Sequence, residues 1–464
     1  MRELGVGLVY WSALTPLFES GDAAVLELEP QTLWSKTGTS SGYSYRLNEP
    51  LFESIASLPQ PKLMHGVGQP LSGTVDDPID YVPLLRRMAD RLQPAWVSEH
   101  LSFNRVHRNG RVSECGFLLP PPQTPAATRV AAANVRRYGR ALGRPVAFET
   151  GVNYFRHPAG DLDDGEFFNA VAEQADSGIL LDLHNLWCNE RNGRQRLLDA
   201  LEQMPLDRVW EVHLAGGMAL DNYWLDAHSH GIPGELLELA AAVIPRLQNV
   251  GALIFEILPE HLPNIGIDGV HRQLESLREL WQLRPARHLQ VRVPTRDATS
   301  APALADIAEV RAWEVSVADG LQGPGGELAA EPGAAVLRRL IADFRSASLT
   351  RGLRYTITAL LAGAGVEPTR RLLDEFFRAS APDAYAAVES HAFARFLARK
   401  DVVKQVPYLA EILAFEKALL SATLFGESSE LCWTTDPTRL LEGLDAGRLP
   451  NDLPAMPSRM TIAA

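Results

Sequence analysis

Eight short apolar runs, each followed by a stretch with helical spacing, fill residues 1–283. They are residues 5–10 (GVGLVY), 24–29 (AVLELE), 61–67 (PKLMHGV), 96–102 (WVSEHLS), 145–150 (PVAFET), 178–184 (GILLDLH), 208–215 (RVWEVHLA) and 252–257 (ALIFEI). The intervening segments have helical periodicity, most clearly PLLRRMADRL (83–92) and GELLELAAAVIPRL (234–247). Strands alternating with helices imply a parallel sheet. Eight such units in about 280 residues predict an α/β fold of the closed (β/α)8, or TIM-barrel, type. The rival is a doubly wound open sheet. It usually has fewer strands and would carry a glycine-rich phosphate turn after the first one, which this sequence lacks.

The alternation stops after residue 283. Residues 284–303 mix Pro, Arg, Ser and Thr without periodicity and read as a linker. From residue 304 to 464 the chain reads as a smaller, mostly helical domain, with apolar residues three and four apart. The stretches 304–321, 334–349, 369–380, 390–400 and 406–425 carry that pattern; a short β segment is expected near ELCWTT (430–435) and a loose tail over 452–464.

Bulk properties narrow the function classes. The net charge of −13 disfavours a protein built to grip a phosphate backbone. Three scattered cysteines, Cys115, Cys188 and Cys432, make neither a disulfide framework nor a thiolate zinc site, which fits a reducing compartment. The opening MRELGVGLVY lacks the pattern of a signal peptide, and no apolar run approaches a membrane span. A cytoplasmic location is therefore expected.

In a (β/α)8 barrel the active site lies at the C-terminal ends of the strands. There this sequence places His65, Glu99, His100, Glu149, Asp182, His184, Asn185, His213, Asp226, His228, His230 and Glu256. Each alone has an ordinary reading: a core histidine, or a carboxylate capping the next helix. Together they do not, because six of the 12 histidines fall in strand-end motifs and carboxylates accompany them. Imidazole and carboxylate ligands without thiolate suit Fe, Mn or Zn. More than six ligands exceed the needs of one ion, so a multinuclear centre follows, in which a carboxylate such as Glu149 can bridge two ions and relieve their repulsion. Glu99 reads as a group that orients a histidine rather than as a ligand.

The motifs HGVG (65–68), SEHLSF (98–103), LLDLHNLWCN (180–189), HLAGG (213–217) and DAHSH (226–230), in this order over about 280 residues, resemble the DUF692 family of multinuclear non-haem iron-dependent oxidative enzymes (MNIO). These modify ribosomally made peptides in RiPP biosynthesis. The resemblance implies an oxidoreductase with two or three iron ions, mixed Fe(II)/Fe(III), dioxygen as co-substrate and a precursor peptide as substrate, with cysteine the side chain many relatives modify. The barrel also resembles the endonuclease IV and xylose isomerase group. Carried over position by position, that likeness implies His65, His100, Glu149, Asp182, Asn185, His213, Asp226, His228 and Glu256 as metal ligands. Glu149, Asn185 and His213 are the expected catalytic residues, and Glu99, His184 and His230 are expected outside the ligand set. The endonucleases have a histidine where this chain has Asn185, a departure that fits the iron family. Thr150-Gly151 and Leu258 depart from the iron family, where Asn and Asp are common, and bear on the substrate pocket.

The helical region, around FARFLARK and VPYLAEILAFEKALL, resembles the partner proteins that capture the precursor peptide for these enzymes. This implies a fusion of catalytic barrel and peptide-recognition domain; the alternative is a domain that only stabilises a dimer or covers the barrel mouth. A peptide is thus the expected partner, with no nucleic acid and no membrane, and a homodimer is compatible with the sequence. Two other function classes stay open: a zinc- or manganese-dependent hydrolase or isomerase on the same barrel, and a non-catalytic peptide-binding scaffold, against which the gathered carboxylates speak.

Overall fold

In the computed structural model the eight apolar runs become eight strands: β1 (Gly5–Val9), β2 (Val25–Leu28), β3 (Lys62–Gly66), β4 (Val97–His100), β5 (Val146–Glu149), β6 (Gly178–Asp182), β7 (Val209–Ala215) and β8 (Ala252–Glu256). The structure describes residues 3–285 and 301–464, apart from residues 40–41, 70, 76–80, 109, 159 and 323–326. Every strand pairs in parallel with its sequence neighbour, and β8 closes on β1. Of the expected linker, residues 286–300 lie outside the described residues.

The strands' two-residue period decides what faces the barrel axis. Val25, Leu63, Ala147, Leu180 and Ile254 belong to one buried apolar layer. Two residues further along the same strands stand Glu27, His65, Glu149, Asp182 and Glu256. The same inward face that packs the barrel floor therefore presents the polar cluster one pleat higher. Helices outside the strands bury the opposite face in a larger core, which includes Leu26, Met64, Phe148, Leu181 and Phe255. Local signals start and stop these helices: Asn48 and Thr124 cap Glu49–Ser57 and Pro125–Leu142, and left-handed Gly143 ends the latter.

Three hairpins rise from the strand ends that carry the site. They are Trp34–Thr39 with Gly42–Leu47 after β2, Phe103–Arg108 with Arg111–Leu119 after β4, and Met218–Leu220 with Tyr223–Leu225 after β7. None was expected from the sequence.

Residues 304–464 form a mostly helical region, beginning with Leu304–Gln322 and Pro332–Gly352. Its own core gathers Phe376, Phe393, Leu413 and Trp433. Its first two helices share a second cluster with the barrel, in which Phe103, Tyr154 and Leu225 meet Val317, Ala334 and Leu337. Polar pins reinforce this docking: Glu314 accepts hydrogen bonds from the Thr74 backbone and hydroxyl, and Trp313 Nε1 donates to the Pro120 carbonyl at 3.1 Å. The expected β segment is Ser429–Thr435. The expected loose tail is a correction: Ala455–Ile462 is a strand, paired antiparallel with Ser429–Thr435. Its residues are mostly exposed, so burial left no periodic signal to read.

Candidate metal centre

Six barrel strands, β3 to β8, and the loop carrying His228 bring the expected residues to one point. His100 and Glu149 are register partners across β4 and β5, and Asp182 and His213 are partners across β6 and β7, so each pair stands at one height. Ligand-type atoms converge in three overlapping groups: His65, His100 and Glu149; Glu149, Asp182 and His213; Asp182, His228 and Glu256. Glu149 is common to the first two and Asp182 to the last two. The arrangement is a short chain of positions linked by two carboxylates.

In the first group, Glu149 Oε2 lies 3.2 Å from His65 Nε2 and 2.9 Å from His100 Nε2. The other ring nitrogens are occupied: His65 Nδ1 meets Ser98 Oγ and His100 Nδ1 meets the Gly66 carbonyl, each at 3.0 Å. Such partners fix ring orientation and leave Nε2 for an ion. Glu99 accepts hydrogen bonds from the backbone of Gln69 and His100, and its Oε1 lies 3.7 Å from His100 Nδ1, so it holds the strand end and flanks the His100 ring.

In the second group, Asp182 Oδ1 accepts the Asn185 backbone N–H at 2.7 Å, capping the helix Leu183–Arg191 and freeing Oδ2. Asn185 Nδ2 donates to Glu149 Oε1 at 3.1 Å. His213 is clasped between carboxylates: Nδ1 is 3.1 Å from Glu256 Oε1 and Nε2 is 3.0 Å from Glu27 Oε1. In the third group, His228 Nε2 lies 2.9 Å from Asp226 Oδ1 and 3.4 Å from Glu256 Oε2.

One correction concerns the element that carries a histidine beside the cluster. His184, expected on strand 6, lies in the helix Leu183–Arg191, because the Asp182 cap ends the strand. From there its Nδ1 reaches Asp226 Oδ1 at 2.9 Å, while Trp224 Nε1 donates to its Nε2. His184 therefore braces Asp226. His230 is exposed and bonds to Ser229 Oγ, away from the cluster. Sequence reasoning missed Glu27 and Glu211, which form a fourth buried group with His213. Their signal was available: both share the inward parity of their strands. Trp96 Nε1 donates to Glu211 Oε2 at 2.8 Å and anchors that side.

The donor set fits metal ions by its unsatisfied atoms. Glu149 Oε2, Asp182 Oδ2, Asn185 Oδ1, His228 Nε2, Glu256 Oε2 and both ring nitrogens of His213 are buried and make no well-aligned hydrogen bond, the imidazoles and carboxylates meeting only as close ion pairs. Buried polar atoms are almost always satisfied, so this concentration marks a place for cations. The electrostatics agree. Burial alone would lower the His65, His100 and His213 pKa values, but the carboxylates around them outweigh it and hold all three above their ordinary range. Burial and the neighbouring Asp226, Glu149 and Glu256 push Asp182 well up. Protons thus do part of the charge balancing that cations would do.

The cluster opens into a cavity of about 1090 Å³. His100, Asn185 and Asp226 stand at its floor, and Gly151 and Leu258 line it, whereas Thr150 is buried behind it, its hydroxyl paired with the Asp182 backbone. The far wall comes from the helical region, through Phe344, Arg351 and Asp383–Ala386.

Comparison with known proteins gives the following likenesses. A family model described as RiPP precursor modification enzyme MbnB/TglH/ChrH matches residues 47–266. A UPF0276 protein of Anaeromyxobacter sp. (strain Fw109-5) is 32% identical over 208 residues, covering 44% of this chain and 71% of that protein. A UPF0276 protein of Streptomyces avermitilis is 30% identical over 365 residues, covering 76% of this chain and 71% of that protein. The latter match is longer than the barrel and so extends into the helical region. Among solved structures, a D-allulose 3-epimerase from Methylomonas sp. superposes with a TM-score of 0.37 at 13% identity, covering 61% of this chain and 96% of that one. Endonuclease IV from Thermus thermophilus does so with a TM-score of 0.36 at 16% identity, covering 61% and 99%. Among the described residues no helix is long and apolar enough to cross a membrane.

Proposed function

Because this chain belongs to the UPF0276 family, the DUF692 group of RiPP precursor modification enzymes, we propose that it is an oxygen-dependent multinuclear iron enzyme that oxidises a side chain of a ribosomally made peptide. The observation that carries this reading is the chain of buried, unsatisfied ligand atoms linked by Glu149 and Asp182. His65, His100, Glu149, Asp182, Asn185, His213, Asp226, His228 and Glu256 are the residues that would hold the ions. Iron bound there supplies one-electron and dioxygen chemistry. The protein's own part is to fix the ligands, exclude bulk water and pose the peptide. Ser98, Gly66, His184 and Glu27 set the orientation of the groups they touch, and Glu149 and Asn185 stand side by side where the cavity meets the cluster.

The helical region supports a peptide substrate, since it completes a cavity large enough for several residues. We assign it the capture of the precursor peptide. The oxidative reading is tested on anaerobically purified protein by metal analysis and by oxygen uptake with candidate precursor peptides taken from short reading frames near its gene. Bound iron and peptide-dependent uptake, both lost in His213→Ala, are expected. Zinc or manganese with oxygen-independent turnover would overturn it in favour of a hydrolase or isomerase.

A further inference from the structure

The cavity wall is lined with polar groups that the protein does not satisfy. Both amide atoms of Gln31, the Ser102 hydroxyl, Asn104 Oδ1 and the Tyr81 hydroxyl are buried there without a partner. Arg105 adds a cation. It lies on the hairpin strand Phe103–Arg108 that leads out from His100, and its Nε and Nη2 are buried with no hydrogen-bond acceptor. The register of that hairpin slips between Phe103 and Arg105, and such a bulge re-aims the side chains beside it. Two buried guanidinium nitrogens without an acceptor are costly to keep, so their acceptor is expected from outside the chain.

The neighbouring charges leave that place open. Lys36 is taken by Asp383 at 2.7 Å. Arg351, on the far wall, lies 3.4 Å from Ser348 Oγ. Glu260 lines the cavity without an ion pair among the described residues. Glu114 is the register partner of Arg105, yet the two form no ion pair. Burial holds the Glu114 carboxyl above its ordinary range, against the pull of Arg105, which favours its neutral form.

We propose that Arg105 is a specificity residue that binds a carboxylate of the substrate peptide close to the metal centre. This rests on the reading of the chain as a peptide-modifying enzyme. The planar guanidinium fork matches a carboxylate through paired hydrogen bonds. The amide groups of Gln31 and Asn104 match a peptide backbone, which offers one donor and one acceptor per residue. The carboxylate is either the peptide's own C-terminus or an Asp or Glu side chain beside the reacting residue.

The test uses the full chain, metal-free, and three random N-acetylated peptide pools of one length, with retention read by mass spectrometry. One pool has a free C-terminus and no Asp or Glu. The second is amidated and contains Asp and Glu. The third is amidated and lacks both. Retention of the first or second pool over the third by at least about ten-fold is expected, and the pool preferred identifies the source of the carboxylate. Arg105→Gln should erase the preference, and Arg105→Lys, which keeps charge but loses the fork, should weaken it. Equal retention of all pools, retention of none, or a preference that survives Arg105→Gln overturns the proposal. If Arg105→Gln fails to fold, the wild-type preference and its weakening in Arg105→Lys decide. Because binding is read without metal or turnover, failure here is distinct from failure of the iron reading, which shows as absent iron or absent oxygen uptake.

Discussion

Ser98→Ala is the cleanest probe of how the barrel wall tunes one ion without removing a ligand. Ser98 is fully buried, its Oγ is 3.0 Å from His65 Nδ1, and the same oxygen lies 3.5 Å from the Met64 carbonyl. The hydroxyl can therefore donate to that carbonyl and accept the His65 Nδ1–H, which leaves the Nε2 lone pair pointing toward Glu149. The substitution deletes one oxygen and keeps the strand. It removes a hydrogen bond worth about 1 kcal/mol net and frees the ring to change tautomer. Loss of such an outer partner typically weakens metal binding by about 10- to 100-fold, or roughly 1.4 to 2.8 kcal/mol. Anaerobic titration with Fe(II) against a chromophoric chelator reads this ion by ion. One ion should weaken by that factor, its neighbour, which shares Glu149, should weaken less, and the ion among Asp182, His228 and Glu256, which shares no ligand with the first, should stay within about two-fold. Unchanged binding of every ion, or uniform weakening of all, would refute the assignment of His65 to one end of a chain of sites.

Three further predictions follow from the same structure. Burial pushes the His228 pKa down, but Asp226 and Glu256 outweigh it and raise it to about 10 in the metal-free protein. An ion must displace that proton, so metal affinity should rise with pH between about 6.5 and 8.5, by up to about ten-fold per pH unit for each proton released; a flat profile would contradict it. Burial raises the Glu314 pKa to about 7, against the hydrogen bonds from Thr74. A raised carboxyl favours folding while protonated and loses that contribution as pH climbs from the unfolded value near 4.5 through 7. Glu314→Gln should therefore stabilise at pH 8.5 by at most about 3 kcal/mol and change little at pH 4.5, read by thermal melting; destabilisation at pH 8.5 would contradict it. At Gly333 an added Cβ would lie 2.1 Å from the Tyr154 carbonyl oxygen, where the helical region meets the barrel. Gly333→Ala should cost roughly 1 to 3 kcal/mol, read by denaturant unfolding, and an unchanged midpoint would show that the contact can yield.

Most of the barrel and its rim could be read from the chain, for a physical reason. Each barrel strand is buried on both faces, so it appears as an apolar run, and a charged residue ending such a run has nowhere to point but the mouth. His65, Glu149, Asp182 and Glu256 were legible in this way. Glu27 and Glu211 were missed because each sits inside a strand, where a carboxylate reads as an interruption; their inward parity was there to read, and closeness to His213 gives it meaning. The role of His184 was hidden because one capping carboxylate, Asp182, turns strand into helix within a residue. The hairpin bearing Arg105 was invisible since its strands are largely half-buried, with no clean alternation. The strand Ala455–Ile462 was hidden by its exposure, and it depends on pairing with a segment far back in the chain.

The central claim is that the strand ends hold a linked set of ions. Anomalous scattering at the iron edge, from crystals of anaerobically iron-loaded protein, tests it most directly. The account predicts two or three peaks, placed among His65, His100 and Glu149, among Glu149, Asp182 and His213, and among Asp182, His228 and Glu256. A single peak, peaks elsewhere, or none in protein that binds iron would contradict it.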